Sequence, residues 1–261
     1  MKFVRKILTK ILGLKAYLRL ISYIYLRLIS WGFMREKYAE LYFISKLVKK
    51  GDTVLDIGAN LGYYSFFLAK TVGSEGCLLA VEPIPLFAEI WQRNMSKWKS
   101  VPHKLFNCAL GEEAKEKVMM SIPVVNGVVR HGLTKVTDEN ETGQTSLSFE
   151  VPMKVGDELL VSENLDRLDF IKCDVEGFEQ FVIPSLEKNI EKFHPVLQIE
   201  LSGDENRKNV VNYLLGMSYH LFILEGDLLK SIQKNDIFTF SQDFYFVHQN
   251  SLEVKGNLIR K

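Results

Sequence analysis

The chain has 261 residues, 47% hydrophobic and 25% charged, with a net charge of +1. That is enough apolar material for one large core, and it excludes a disordered or collagen-like chain. Eight basic residues, from Lys2 to Arg35, precede the first acid at Glu36, so the remainder carries 25 bases against 32 acids, a balance of −7. A mildly acidic body lacks the broad positive surface that coats nucleic acid, and no nucleic-acid partner is expected.

The first predicted element is a basic helical extension over residues 1–35. Phe3, Ile7, Ile11, Leu14, Leu18, Ile21, Tyr25 and Ile29 recur at steps of four and three with the bases on the opposite arc, which predicts an amphipathic helix broken at Gly13. Arg19 and Arg27 leave only seven uncharged residues between them, and no small-residue cleavage site follows. Neither a membrane span nor a signal peptide is expected. The stripe suits an anionic membrane surface, which would make the protein peripheral. It equally suits packing on the chain's own domain or on a partner, and both readings stand.

Residues 36–261 read as one domain of alternating strands and helices. Thr53–Ile57, Cys77–Glu82 and Leu105–Leu110 are short apolar runs, with helices predicted over Tyr63–Lys70 and Leu86–Met95 between them. Leu168–Asp174 follows, with a helix from about Phe178 to Phe193, then Pro195–Leu201 with a helix from about Glu205 to Leu215. Tyr219–Leu224 and Asp243–Gln249 are expected to close the chain as an antiparallel pair. Such alternation builds a parallel sheet with helices on both faces and ligands at the strand carboxyl ends. Cys77, Cys108 and Cys173 lie in or beside these runs without CxxC or metal-ligand spacing. They read as buried thiols of a reducing, cytoplasmic setting.

The strand ends carry the chemistry. Asp56-Ile-Gly-Ala-Asn-Leu-Gly62 is a glycine turn between strand and helix, but Asn60 stands where a dinucleotide loop needs room for pyrophosphate. A ligand without phosphate suits it better. Glu82, 20 residues after Gly62, is placed to accept hydrogen bonds from both ribose hydroxyls. Downstream, Ile-Lys-Cys-Asp174-Val-Glu176-Gly-Phe-Glu179 crowds three carboxylates after a strand, which is unfavourable unless a cation or a proton-transfer task compensates.

Together Asp56–Gly62, Glu82-Pro83, Asn107-Cys108-Ala109-Leu-Gly111 and Ile171–Glu179 resemble the FkbM-type methyltransferases, over about residues 50–201. The resemblance implies a Rossmann-like α/β fold, a seven-stranded methyltransferase sheet with helices on both faces and a reversed last strand. It implies S-adenosylmethionine as methyl donor and O-methylation of a hydroxyl on a small molecule, sugar or glycan. By the same matching Asp56, Gly58, Asn60 and Gly62 line the methionine half, Glu82 the ribose, and Asn107, Cys108 and Ala109 the adenine edge.

Asp174 is expected to face the sulfonium, with Lys172 on the same strand face as a compensating cation. Asp174 is then either general base or ligand of the donor's amino group, which leaves Glu176 to meet the acceptor; Glu200 is placed to join them. Glu179 reads as helix-terminal stabilisation or a solvated charge. Three acids beside a cationic cofactor need no metal, although Mg²⁺ on Asp174, Glu176 and Glu200 is the alternative. Residues 112–155 replace the single helix of a simpler fold and read as an acceptor-side insertion. There His131, in Val128–Thr134, is an alternative base or an ordinary loop histidine. The competing functions are a non-catalytic nucleoside-binding or membrane-tethered protein on the same fold, and a nicotinamide-dependent reductase. Acceptor identity and oligomeric state leave no trace in the sequence.

Overall fold

A computed structural model describes residues 2–125, 128–129, 135–136, 146–253 and 255–260. His131 and the polar run 138–145 lie outside the described residues. The central strands are four or five residues long and almost wholly buried: β1 (Thr53–Ile57), β2 (Cys77–Val81), β9 (Phe170–Cys173) and β10 (Val196–Ile199). Period-two geometry splits each between two cores. Leu55, Ile57, Ile171, Cys173, Leu197 and Ile199 face one helical layer. Val54, Leu78, Phe170 and Val196 face the other, which contains α2 (Ala39–Leu47) and α3 (Tyr63–Val72).

The main sheet runs β12-β11-β13-β10-β9-β1-β2-β3, where β3 is His103–Phe106, β11 Tyr219–Glu225, β12 Leu228–Ser231 and β13 Phe244–His248. It has eight strands where seven were expected. β13 is the reversed strand, antiparallel to both β10 and β11. The addition is β12, folded back on β11 around Gly226. Its four residues, Leu-Leu-Lys-Ser, are too few to display a strand period in sequence.

Two other predicted elements divide. The run Leu105–Leu110 separates into β3 of the main sheet and β4 (Ala109–Leu110) of a second sheet, ordered β4-β8-β5-β6 with β7 on β5. That sheet consists largely of β5 (Lys115–Val125) against β8 (Ser146–Lys154), with β6 (Val128–Val129) and β7 (Lys135–Val136) as short additions. The helix expected over Phe178–Phe193 is α6 (Glu179–Val182), a single tight turn at Pro184–Leu186, and α7 (Glu187–Phe193). Pro184 offers no backbone N–H and interrupts it. α5 (Gly156–Val161) precedes β9, and α8 (Asp204–Gly216) follows β10.

α1 (Lys2–Ser30) is kinked at Gly13, whose φ of 75° and ψ of 160° leave the helical region. Beyond the kink Tyr17, Leu18, Ser22, Leu26 and Ile29 are buried. Tyr17 and Leu18 pack with Ile84, Phe87 and Ile90 of the α4 region (α4, Pro85–Met95) and with Met120 and Val151 of the second sheet. Before the kink Ile7 and Ile11 are exposed, and among the described side chains there Leu8 alone is packed against that cluster. No described helix is long and apolar enough to cross a membrane.

Candidate active site

Parallel pairing aligns the strand ends. Glu82 N–H donates to the Phe106 carbonyl at 3.1 Å, Gly58 to Val81 at 3.0 Å, Asp174 to Ile57 at 3.0 Å and Glu200 to Cys173 at 3.0 Å. These last rungs set Glu82, Gly58, Asp174 and Glu200 in one row across the sheet edge, where open α/β sheets bind ligands.

The β1 turn passes through positive φ at Gly58, Asn60 and Gly62. At Gly58 a Cβ would stand 1.8 Å from the Asp174 carbonyl oxygen, so glycine is demanded by the β9 backbone as well as by the turn. At Gly62 it would stand 2.9 Å from Trp91, which packs α3 on α4. The β9 turn is built similarly, with Glu176 at φ 56° and Gly177 at φ 96°. A non-glycine residue held there is uncommon and draws attention to Glu176. Glu179 is fully buried and accepts from the backbone N–H groups of Val175 at 2.9 Å and Gly177 at 3.1 Å, and from Asn206 Nδ2 at 2.6 Å. It holds the turn rather than meeting solvent.

Two adjoining cavities of about 250 and 340 Å³ share Gly58, Asn60, Asp174 and Glu200. The first is bounded by Glu82, Phe87, Met120 and Glu176, so the second sheet contributes a wall through Met120. The second is bounded by Asp56, Tyr38, Tyr63, Tyr64, Lys172 and Asp243. Cavities of this scale approach or fall within the range of small-ligand pockets, about 300–1,000 Å³.

Glu82 is buried, and its carboxylate accepts Asn60 N–H at 2.8 Å and Ile84 N–H at 2.7 Å. Burial nonetheless pushes its pKa up to about 8, against those two bonds. Each oxygen retains acceptor capacity toward the first cavity. Asn107 Nδ2 brackets the same corner, donating to the Glu82 carbonyl at 2.7 Å and to that of Pro83 at 3.0 Å. Cys108 and Ala109 are buried and line neither cavity; burial raises the Cys108 thiol to about 11.

Asp56, Lys172 and Gln198 are register partners across β1, β9 and β10 and form a buried polar row. Asp56 accepts from Ser65 Oγ, which accepts from Trp91 Nε1 at 2.7 Å, and burial lifts its carboxyl to about 6. Lys172 Nζ lies 3.3 Å from Asp243 and 4.9 Å from the centre of the Tyr64 ring. Burial pulls its pKa down, but Asp243, Asp174 and Glu200 outweigh burial and hold the ammonium above the ordinary lysine range. Gln198 Nε2 also donates to Asp243, at 2.7 Å. Asp243 and Gln198 escaped the sequence reading. Their signal was a polar residue inside the apolar run Pro195–Leu201 and an acid opening the last strand.

Carboxylates therefore outnumber cations. Asp174 and Glu200 are hydrogen-bonded to each other; burial foremost raises Asp174 and, with Asp174 beside it, lifts Glu200 to about 8. Burial and Asp174 bring Glu176 to about 7. Two carboxyls in contact cannot both ionise cheaply, so the pair holds a proton unless a cation arrives. This donor set fits a cationic nucleoside such as S-adenosylmethionine: a buried acid beside the glycine-bearing turn of β1, and surplus negative charge in the cavity wall. No described group of three or more His, Cys, Asp or Glu is arranged to hold a metal ion.

Comparison with known proteins agrees. Methyltransferase 1 of Beauveria bassiana is 26% identical over 145 residues, 51% of this chain and 58% of its own. Protein-L-isoaspartate O-methyltransferase 1 of Archaeoglobus fulgidus is 43% identical over 49 residues, 19% of this chain and 23% of its own. The solved methyltransferase FkbM of Methylobacillus flagellatus KT shares the fold with a TM-score of 0.52 at 18% identity, over 80% of this chain and 47% of that one. The chain thus spans less than two thirds of each relative. The methyltransferase FkbM domain model matches residues 56–231, about two thirds of the chain. Because that match runs from Asp56 through every strand-end motif, the chain belongs to the FkbM family of S-adenosylmethionine-dependent methyltransferases.

Proposed function

We propose that this protein methylates a hydroxyl of a small molecule, sugar or glycan, and that the Asp174–Glu200 pair receives the hydroxyl proton. The supporting observation is that this pair stands where the two cavities meet. Bound S-adenosylmethionine supplies an electrophilic methyl group on a sulfonium, which departs as a thioether. Glu82 holds the ribose, and the turn Asp56–Gly62 supports the methionine half. In its ionised form the Asp174–Glu200 pair would accept the proton of the hydroxyl. A base with a pKa near working pH combines availability with driving force, and Glu200 and Glu176, at about 8 and 7, are so tuned. Glu176 is the second candidate for the proton, on the wall of the first cavity, and His131 of the insertion the third.

The test is transfer of a labelled methyl group to fractionated host metabolites and glycans, followed by mild alkali. An ether product keeps its label. Release as methanol identifies a methyl ester and overturns the hydroxyl reading.

The reading also includes peripheral attachment to an anionic membrane. Of the twelve large apolar side chains exposed among the described residues, eight lie between Ile7 and Phe33. Such concentration on one basic helix and the turn after it is what an interfacial element requires. Flotation with anionic vesicles tests it.

A further inference from the structure

We propose that the groove between α1 and α4 binds the phosphate of an anionic phospholipid headgroup and so sets how the protein sits on a bilayer. The proposal rests on the peripheral attachment above and adds a defined ligand site to it. The groove encloses about 350 Å³ and is lined by Arg19 and Arg27 of α1 and by Arg93 and Lys97 at the end of α4, with no carboxylate among its lining residues. Arg19 alone is paired, with Glu89 outside the groove, and Glu89 is also met by Lys15. Among the described residues no ion pair engages Arg27, Arg93 or Lys97.

Two of the cations are held by aromatic faces instead. The Arg27 guanidinium lies 4.7 Å from the Tyr23 ring centre and Lys97 Nζ 5.9 Å from that of Phe66. Surface charge that serves solubility mixes signs; a concave cluster of one sign is unfavourable until an anion enters. Guanidinium groups match phosphate oxygens in fork geometry. The surroundings select a lipid over a soluble phosphate, because Trp31, lining the groove, is 63% exposed and Phe33 beyond it 76%. Two exposed aromatic rings beside a phosphate site suit the boundary between headgroups and acyl chains.

The experiment uses the full chain with vesicles of phosphatidylcholine alone and with about one third phosphatidylglycerol. Flotation is expected with the anionic vesicles only, and to weaken at high salt. Arg27→Ala, Arg93→Ala and Lys97→Ala combined should lower partitioning by at least about 20-fold, each basic group near the surface contributing roughly a factor of five. These side chains are exposed, so the variant should fold. Trp31 emission should shift to the blue on anionic vesicles, and the shift should vanish in Trp31→Phe. If the parent fails to float, peripheral attachment falls and the headgroup site with it. If parent and triple variant float equally, attachment survives and the headgroup site is wrong. Saturation by inorganic phosphate or glycerol phosphate without vesicle binding, or tighter capture by an RNA oligonucleotide, also overturns it.

Discussion

The carboxylates at the ends of β9 and β10, which outnumber the Lys172 ammonium beside them, and the cations between α1 and α4 both crowd like charges, yet they relieve repulsion in opposite ways. Asp174 and Glu200 share a hydrogen bond and have raised pKa values, chiefly through burial. They relieve repulsion by holding a proton, which is the property a base needs. Arg27, Arg93 and Lys97 are exposed and lean on aromatic rings or solvent. Burial turns like-charge repulsion into acid–base chemistry, whereas exposure leaves it as a field that attracts an anion.

The comparison is most easily broken at Gly58, which lets β1 and β9 approach closely enough to form the acidic cluster. Gly58→Ala should destabilise the fold by more than about 4 kcal/mol, because strain at positive φ is joined by a clash with backbone. Gly226→Ala, also at positive φ but with no atom within 4 Å of the added Cβ, should lose only about 1–2 kcal/mol. Urea unfolding of both variants measures the difference, and equal losses would mean that the strands do not meet as described.

Next comes Asp174→Asn, which removes charge and basicity at constant size and should slow turnover about 10²-fold or more. If Asp174 acts on the hydroxyl, affinity for S-adenosylhomocysteine stays near the parent's; if it binds the donor's amino group, affinity falls with rate. Glu176→Gln separates the two acids, since only the true base loses rate without binding. Full activity in both variants would make these acids structural and promote His131. Glu82→Ala should weaken S-adenosylhomocysteine by roughly 1.5–3 kcal/mol in titration calorimetry. Unchanged affinity would remove Glu82 from the ribose site.

The two clusters should also differ in pH response. Glu82 and Glu200 rise to about 8, Glu176 to about 7 and Asp56 to about 6 in the folded state. The ordinary range for the unfolded chain is about 4. The native state therefore binds more protons than the unfolded one in this window. Stability from these groups is fully present below about pH 4 and is lost as pH rises through 6 to 8. The unliganded protein should melt at least about 3 °C higher at pH 5 than at pH 8.5, and Glu82→Gln should flatten part of that slope. A melting temperature that rises over the same interval contradicts the buried acids. The smallest effect is expected from removing residues 1–12. Most of the described side chains there are outside the core, so the melting temperature should move by no more than about 2 °C. Removal through Ser30 strips Leu18, Leu26 and Ile29 from the core and should be severe by the same measurement.

The FkbM motifs and the strand-helix alternation of a parallel sheet were legible in sequence because each is local: an apolar run of four or five residues, a glycine turn, an acid at its end; the reversed last strand followed only from the resemblance those motifs carry. The kink at Gly13 was legible too, as a glycine inside a helical stripe. Pro184 shows that a local signal can be present and overlooked, since it broke a helix the apolar pattern had carried through. Other features had no local signature. Asp174 meets Glu200, and Lys172 meets Asp243, only because β9 lies beside β10 and β10 beside β13. The cationic groove joins Arg27 to Arg93 across two helices, and Trp31 gains meaning only beside them. Residue type and spacing determine secondary structure and turn chemistry over a few positions. Pairing between distant strands and helices decides which charges share a cavity and which of them water reaches, and hence which carboxyls burial raises.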